Sequence, residues 1–199
     1  MNKKYELTTK TKLFFGKTLY QIKALIDFGH VKAGDLGGFI ESESNLSHDG
    51  NAWVSNNAEV ADNAKVYGNA KVAGTAKVSG NAKVSGNACV YDNASICDNA
   101  QVAGTANVYD NAWIYGNAEV YGDAWIYGNA RATKRVLNIN YEKYNITATD
   151  NHLKIGCQQH TFDEWASFDD DTIDKMDTNA LVWWKKWKPI IFAILEKSE

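Results

Sequence analysis

A single apolar position recurs every six residues through the middle of the chain. From Asp49 to Ala132 the sequence divides without insertion or deletion into fourteen hexads, which begin DGNAWV, SNNAEV, ADNAKV and YGNAKV. Position 6 is valine or isoleucine in all but the last hexad, and position 4 is always alanine. An α-helix repeats its apolar face about every 3.6 residues, so this period excludes a helix. The pattern predicts a stacked solenoid in which each hexad contributes one short strand and one turn.

The polar positions of each hexad predict where the turn falls. Position 2 is glycine, aspartate or asparagine, and position 3 is mostly asparagine. These residue types tolerate positive φ, so a tight corner is expected at positions 2 and 3. Positions 5, 6 and 1 then form the strand, in which position 6 points inward and its neighbours point outward. Alanine at position 4 suits a corner that leaves little internal room.

These hexads resemble the hexapeptide-repeat family, whose members are left-handed parallel β-helices. The resemblance covers residues 49–132. It implies a mainly β fold with three hexads in each triangular coil, so the fourteen hexads would make between four and five coils. It also implies a trimer, which is a frequent assembly in this family, and it raises the possibility of acyltransferase activity, which many members have.

The flanking segments predict two smaller regions. Residues 1–48 are expected to form N-terminal strands, from the alternation in KTLYQIKALIDF, and irregular coils that cover the first edge of the solenoid. Residues 133–199 are expected to form a small α+β cap. Its predicted parts are two or three strands, a short helix whose start is capped by Thr161 and Glu164, and a final helix that is kinked or restarted at Pro189.

Two further segments carry a second resemblance. The stretch YQIKALIDFGHVKAGDLGGFIESESNLSHDGNAWV, followed by hexads, resembles a group of bacterial, prophage and phage hexapeptide-repeat proteins. The stretch IGCQQHTFDEWASFDDDTIDKMDTNALVWWKKWK is similar to a tail found on phage proteins. Members of the group are commonly described as transferases, without assigned catalytic residues. The resemblance therefore implies a phage context for the function rather than a particular reaction.

Composition and charge limit the binding partners and the cellular compartment that we expect for the protein. A net charge of −3 gives no general attraction to nucleic acid polymers or to anionic membranes, so neither is expected as a partner. The N-terminus lacks the apolar run of a secretory signal, and the apolar stretch PIIFAIL is too short to cross a bilayer. Cys89, Cys97 and Cys157 cannot all pair within one chain. They are expected to be thiols in a reducing cytoplasm, which is the host cytoplasm if the chain is phage-encoded.

The histidines are the main candidates for catalytic residues. Acyltransferases of the family that the hexads resemble use a histidine in or beside the coils as a general base, and its carbonic-anhydrase-like members need three as zinc ligands. None of the four histidines lies within residues 49–132, and no loop is inserted there. His48 is the candidate base if the chain is an acyltransferase. The favoured interpretation is a surface residue at the entrance of the solenoid.

Cys157 and His160, with His152 nearby, form the other candidate cluster. A Cys–His pair could activate a thiolate, and the three side chains could ligate a metal. Their spacing matches no standard zinc pattern and supplies no obvious fourth ligand. A strand end that leads into a helix cap is the favoured interpretation. We therefore predict no catalytic residue, no metal site and no cofactor.

The outward positions carry the remaining information. Residues 18 apart are expected to stack on one face, about 4.8 Å apart. One face is predicted to carry Glu59, Lys77, Trp113 and Arg131 together with a column of Tyr91, Tyr109 and Tyr127. A second face is predicted to carry Trp53, Tyr67, Lys71, Tyr121 and Trp125, and a third to carry Lys65, Lys83, Tyr115 and Glu119. Lysines therefore surround the middle coils, and aromatic residues crowd the C-terminal coils.

The aromatic columns have two interpretations. Rings and cations together suit a nucleotide, because rings stack on bases and Lys or Arg pairs with phosphate. The predicted ligand-binding residues are Lys77, Tyr91, Tyr109, Trp113, Tyr127 and Arg131. Alternatively, the rings serve only packing. The free energy gained by burying thirteen Val and Ile side chains offsets little of the conformational entropy lost when 84 residues become ordered. Further apolar surface must therefore be buried, and at least one aromatic face is expected at a subunit interface or beneath the cap.

Three functions follow from these observations. The first choice is a non-enzymatic, phage-type binding protein, a homo-oligomer and most simply a trimer. It would sequester a small anionic, nucleotide-like ligand such as a host immune signal, and so act as an anti-defence sponge. The second is a structural or protein-interaction module that binds a host protein through its C-terminal cap. The third is an acyltransferase of the hexapeptide type.

Overall fold

The structure, a computed structural model that describes residues 3–196, is mainly β. Its body is a parallel β-solenoid of about 5 turns, which confirms the predicted fold class. Each hexad contributes one two-residue strand at positions 5 and 6. These strands are β4 Trp53–Val54, β5 Glu59–Val60, β6 Lys65–Val66, β7 Lys71–Val72, β8 Lys77–Val78, β9 Lys83–Val84, β10 Cys89–Val90, β11 Ser95–Ile96, β12 Gln101–Val102, β13 Asn107–Val108, β14 Trp113–Ile114, β15 Glu119–Val120, β16 Trp125–Ile126 and β17 Arg131–Ala132.

The solenoid has three faces, and each face is a parallel sheet. Face A contains β5, β8, β11, β14 and β17; face B contains β4, β7, β10, β13 and β16; face C contains β6, β9, β12 and β15. Paired residues are 18 apart, as in the pairing of Ser95 with Lys77 and of Ile96 with Val78. This spacing confirms that three hexads complete one coil.

The core is a narrow column of small and branched side chains. From Ala52 to Ala132 the side chains at positions 4 and 6 are at most 1% exposed. At each corner, position 2 has positive φ, whether it is a glycine such as Gly104 (φ 75°) or an aspartate such as Asp92 (φ 56°). At position 3, amide side chains bond from coil to coil: Asn81 donates to Asn99 at 3.0 Å. Backbone and amide ladders therefore hold the coils together around a thin interior.

An N-terminal hairpin covers part of face A. Strands β1 Tyr5–Phe14 and β2 Lys17–Ala24 pair antiparallel. Strand β3 Leu36–Ile40 joins β2 to β5, and a short 3-10 helix, Glu43–Asn45, follows it.

The hairpin packs on the outer side of the first coils. Phe14, Leu19, Phe39 and Ala61 form a buried cluster there, separate from the interior of the solenoid. Burial of Ala61 is informative, because this position-1 residue would otherwise face solvent. Face A is therefore covered at its N-terminal end and open from Lys77 onward.

The C-terminal region combines one antiparallel sheet with three helices. Its elements are β18 Leu137–Tyr141, β19 Tyr144–Ala148, β20 His152–Ile155, β21 Gln158–Thr161, α1 Phe162–Ser167, α2 Asp170–Asp174 and α3 Ala180–Glu196. Thr161 and Glu164 form the predicted capping box at the start of α1. Helix α3 runs through Pro189, so the predicted restart there is wrong. Pro189 is exposed, and water can solvate the carbonyl that loses its helical donor. No helix within residues 3–196 is both long and apolar enough to span a bilayer.

Candidate functional site

The six residues predicted to bind a ligand lie on two faces. Lys77, Trp113 and Arg131 are on face A, in strands β8, β14 and β17. Tyr91, Tyr109 and Tyr127 directly follow β10, β13 and β16, so they lie on face B. The prediction of one shared face was wrong.

The reason lies in position 1 of the hexad. Its backbone continues the ladder of the strand before it: the N–H of Tyr91 donates to the carbonyl of Val108 at 3.0 Å. Position 1 therefore belongs to the face of the preceding hexad. The predicted faces of Tyr67, Tyr115 and Tyr121 are wrong for the same reason. Tyr67 and Tyr121 follow strands of face C, and Tyr115 follows Trp113 on face A.

Face A presents a ring and a cation side by side. The Trp113 side chain is 42% exposed. The Arg131 guanidinium lies 5.9 Å from the Trp113 ring centroid, and the Tyr115 ring lies 4.6 Å from it. The indole N–H donates to Cys97 Sγ at 3.4 Å, which orients the ring. Among residues 3–196 no carboxylate forms an ion pair with Arg131.

Face B presents a stacked tyrosine ladder. The Tyr91 and Tyr109 ring centroids are 4.9 Å apart, and those of Tyr109 and Tyr127 are 5.1 Å apart, with nearly parallel planes. Trp125 meets Tyr109 edge-on at 6.3 Å, and the Lys154 ammonium lies over the Trp125 ring at 5.7 Å. Burial raises the pKa of all three tyrosines above the usual value. The ladder is therefore uncharged at neutral pH.

A belt of lysines surrounds the middle coils. Its members are exposed, and within residues 3–196 none forms an ion pair; they are Lys65, Lys71, Lys77 and Lys83. By contrast, two lysines of the N-terminal hairpin, Lys12 and Lys17, contact carboxylates. The belt is thus a band of uncompensated positive charge that crosses all three faces. Only Lys77 belongs to the face that carries Trp113.

The candidate catalytic residues have structural contacts. His48 stacks on Tyr5 with ring centroids 4.3 Å apart, and its Nδ1 accepts a hydrogen bond from the N–H of Lys4 at 3.2 Å. His160 lies edge-on to two aromatic rings of the cap core, and Cys157 is exposed. Across residues 3–196 no group of three His, Cys, Asp or Glu side chains is placed to hold a metal ion.

Sequence analysis missed a buried cation at the N-terminal end of the solenoid. Lys4 is 1% exposed, and its Nζ donates to the carbonyls of Ala52 at 2.9 Å and Gly50 at 3.3 Å. Burial lowers the pKa of the Lys4 ammonium from 10.5 to about 8. The amine thus satisfies carbonyl groups on the first coil. Lys4 directly follows Lys3, and two adjacent lysines give no sequence signal for burial.

The lowered pKa of Lys4 predicts an alkaline gain in stability. Between pH 8 and 10.5 the unfolded chain keeps this proton while the folded chain loses it, so the free energy of unfolding should rise with pH. We expect wild type to gain about 2 kcal/mol over Lys4→Met between pH 7.5 and 10, measured by urea unfolding. The control Lys71→Met removes an exposed lysine and so measures the effect of losing one positive charge from the surface. A constant difference between wild type and Lys4→Met would contradict the assigned pKa.

A concave space lies elsewhere, between the last coil and the C-terminal region. Its volume is about 1110 Å³, and none of the six predicted residues lines it. Lys134 and Arg135, which follow the last hexad, are part of its lining. These two adjacent cations were the one feature of the sequence that indicated a site at this place.

No protein-family model matches the chain, and a search of curated proteins finds no significant match.

Proposed function

We propose that the protein is a non-enzymatic binding protein, which captures a small anionic ligand of nucleotide type between neighbouring copies in a cyclic trimer. The observation that carries the proposal is the pairing of Trp113 with Arg131 on face A. A half-exposed indole can stack on a base, and a guanidinium without a carboxylate partner can bind phosphate through two hydrogen bonds.

The proposed site needs a second copy. Trp113 and Arg131 lie on one sheet and the tyrosine ladder lies on another, so in the proposed assembly a second copy brings the two sets of side chains together. If face B of one copy opposes face A of the next, Tyr91, Tyr109 and Tyr127 close over Trp113 and Arg131. Such a contact joins two different surfaces, and repeating it closes a ring. Three copies are the number that the hexapeptide resemblance implies.

Charge supports this pairing of faces. The acidic corner residues Asp92 and Asp110 adjoin the tyrosine ladder, and Lys77 and Arg131 lie on face A. Opposing the two faces brings these opposite charges together, which favours the encounter and its orientation. The neutral, stacked tyrosines can be buried without removing a charge from water.

The phage resemblance suggests what such a protein would accomplish. A trimer that binds a nucleotide signal tightly and performs no reaction lowers the free concentration of that signal. We therefore propose an anti-defence role in the host cytoplasm, with a host immune signal as the ligand. Tight binding by stacking and charge pairing is sufficient for this role.

Replacing Arg131 by glutamine should weaken nucleotide binding about tenfold, because a charge-assisted contact to phosphate is lost. Ligands would first be identified by native mass spectrometry after incubation with ribonucleotides and cyclic dinucleotides, and affinities would then be measured by calorimetry. Lys77→Gln should also weaken binding. Its matched control is Lys65→Gln, which changes the same hexad position on face C and should leave affinity unchanged. Equal affinities in all variants would refute the proposed site.

A further inference from the structure

The concave space beside the last coil has a preformed polar wall. The N–H and Oγ1 of Thr133 both donate to Asp150 Oδ2 at 2.7 Å, and the N–H of Val136 donates to the carbonyl of Glu119 at 2.8 Å. These bonds hold the chain on both sides of Lys134 and Arg135. The two cations are therefore presented from a short, restrained segment. We call this space the junction cleft.

Another part of the lining of the junction cleft is apolar. Phe162, at the start of α1, and Phe192 and Leu195, near the end of α3, line it. All three pack against the core of the C-terminal region yet remain partly exposed. The volume of about 1110 Å³ slightly exceeds the range for small-molecule sites, which is about 300–1,000 Å³. A ligand with an apolar body would remove these rings from water.

The hydrogen-bond partners of the charged groups in the junction cleft, rather than the number of charges, indicate the sign of the ligand. Three carboxylates line it, on Asp123, Asp150 and Glu196. Asp123 accepts hydrogen bonds from the amides of Asn138 at 2.8 Å and Asn140 at 2.6 Å, which hold the pKa of its carboxyl below the usual value. The carboxylate of Asp150 accepts two hydrogen bonds from Thr133.

Arg135 differs from these carboxylates in its contacts. Arg135 is exposed, and among residues 3–196 no carboxylate forms an ion pair with it. A guanidinium carries five N–H donors in a planar fork that matches the geometry of an anionic group. The carboxylates of Asp123 and Asp150 have their hydrogen-bonding partners within the protein, whereas Arg135 has donors left to offer.

We propose that the junction cleft binds an organic anion with an apolar, ring-containing body. Its anionic group pairs with Arg135, and its body packs against Phe162 and Phe192. This site lies within one chain and shares no residue with the proposed trimer site. The two proposals can therefore fail independently.

The test uses 8-anilinonaphthalene-1-sulfonate, an aromatic sulfonate whose fluorescence rises in apolar surroundings. We expect saturable binding with one site per chain, about tenfold weaker in Arg135→Gln. Phe192→Leu should also weaken binding while keeping an apolar residue at that position, and unchanged thermal melting would show that it folds. Arg131→Gln is the matched control, because it removes an arginine from face A and leaves the junction cleft intact.

Replacing Glu196 should affect sulfonate binding in the opposite direction to replacing Arg135. Glu196→Gln removes a carboxylate from the lining, so it should tighten binding of the sulfonate about twofold. Opposite effects of Arg135→Gln and Glu196→Gln would identify the anion site. Absence of saturable binding, or equal weakening by Arg135→Gln and Arg131→Gln, would overturn the proposal. Loss of nucleotide binding in Arg131→Gln with normal sulfonate binding would separate this site from the trimer site.

Discussion

Replacing Ile96 by aspartate should abolish folding of the solenoid at neutral pH. Ile96 is 0% exposed and lies in a core built of alanine, valine and isoleucine. A carboxylate at this position would have neither water nor a partner, and the coil is too narrow to turn the side chain outward. We expect a loss of at least about 4 kcal/mol, which approaches the whole stability of a domain at the lower end of the usual range of about 5–15 kcal/mol. Circular dichroism and thermal melting measure it.

The neighbouring residue provides a matched control. Ser95 precedes Ile96 in strand β11 and points outward. Ser95→Asp introduces the same charge one residue away and should keep the fold and its melting temperature, because the new carboxylate reaches water. A folded Ile96→Asp protein, or an equally damaged Ser95→Asp protein, would contradict the assigned inward and outward positions.

Replacing Tyr109 by aspartate should dissociate the proposed trimer. Tyr109 is the middle ring of the ladder and contacts Tyr91, Tyr127 and Trp125. An interface that buries this ladder would have to bury the new charge beside Asp110, and residues of this kind at interface centres contribute about 2 kcal/mol or more. Sedimentation velocity at micromolar concentration should show a trimer for wild type and monomers for the variant.

Tyr67→Asp is the control for dissociation. Tyr67 occupies the same hexad position on face C, where it is exposed and outside the proposed interface. This variant should remain trimeric. Its dissociation would place the interface on face C, and a monomeric wild type would contradict the trimer itself.

The repeat made most of the solenoid predictable, because its constraints are local. A positive-φ residue, an alanine and one branched residue in each hexad specify corner, tight interior and core without reference to the rest of the chain. The face of each position-1 tyrosine was not predictable from the hexad frame alone. It depends on whether the backbone of that residue continues the ladder, as Tyr91 does through its bond to Val108.

The parts that determine the candidate sites depend on long-range packing. The hairpin could be predicted as strands, but its position over Phe39 and Ala61 leaves only the C-terminal end of face A open. Burial of Lys4 requires contact with carbonyls almost fifty residues away. The junction cleft forms where the last coil meets α3, and sequence periodicity carries no information about that meeting.

Native mass spectrometry of the full chain with a nucleotide pool would show both the proposed trimer and the ligand that it binds. We expect a trimer that retains up to one small anionic ligand per interface. We also expect weaker retention of the ligand in Arg131→Gln and loss of the assembly in Tyr109→Asp. A protein that remains monomeric at micromolar concentration, or a trimer that retains no small molecule from the pool, would contradict the proposed function.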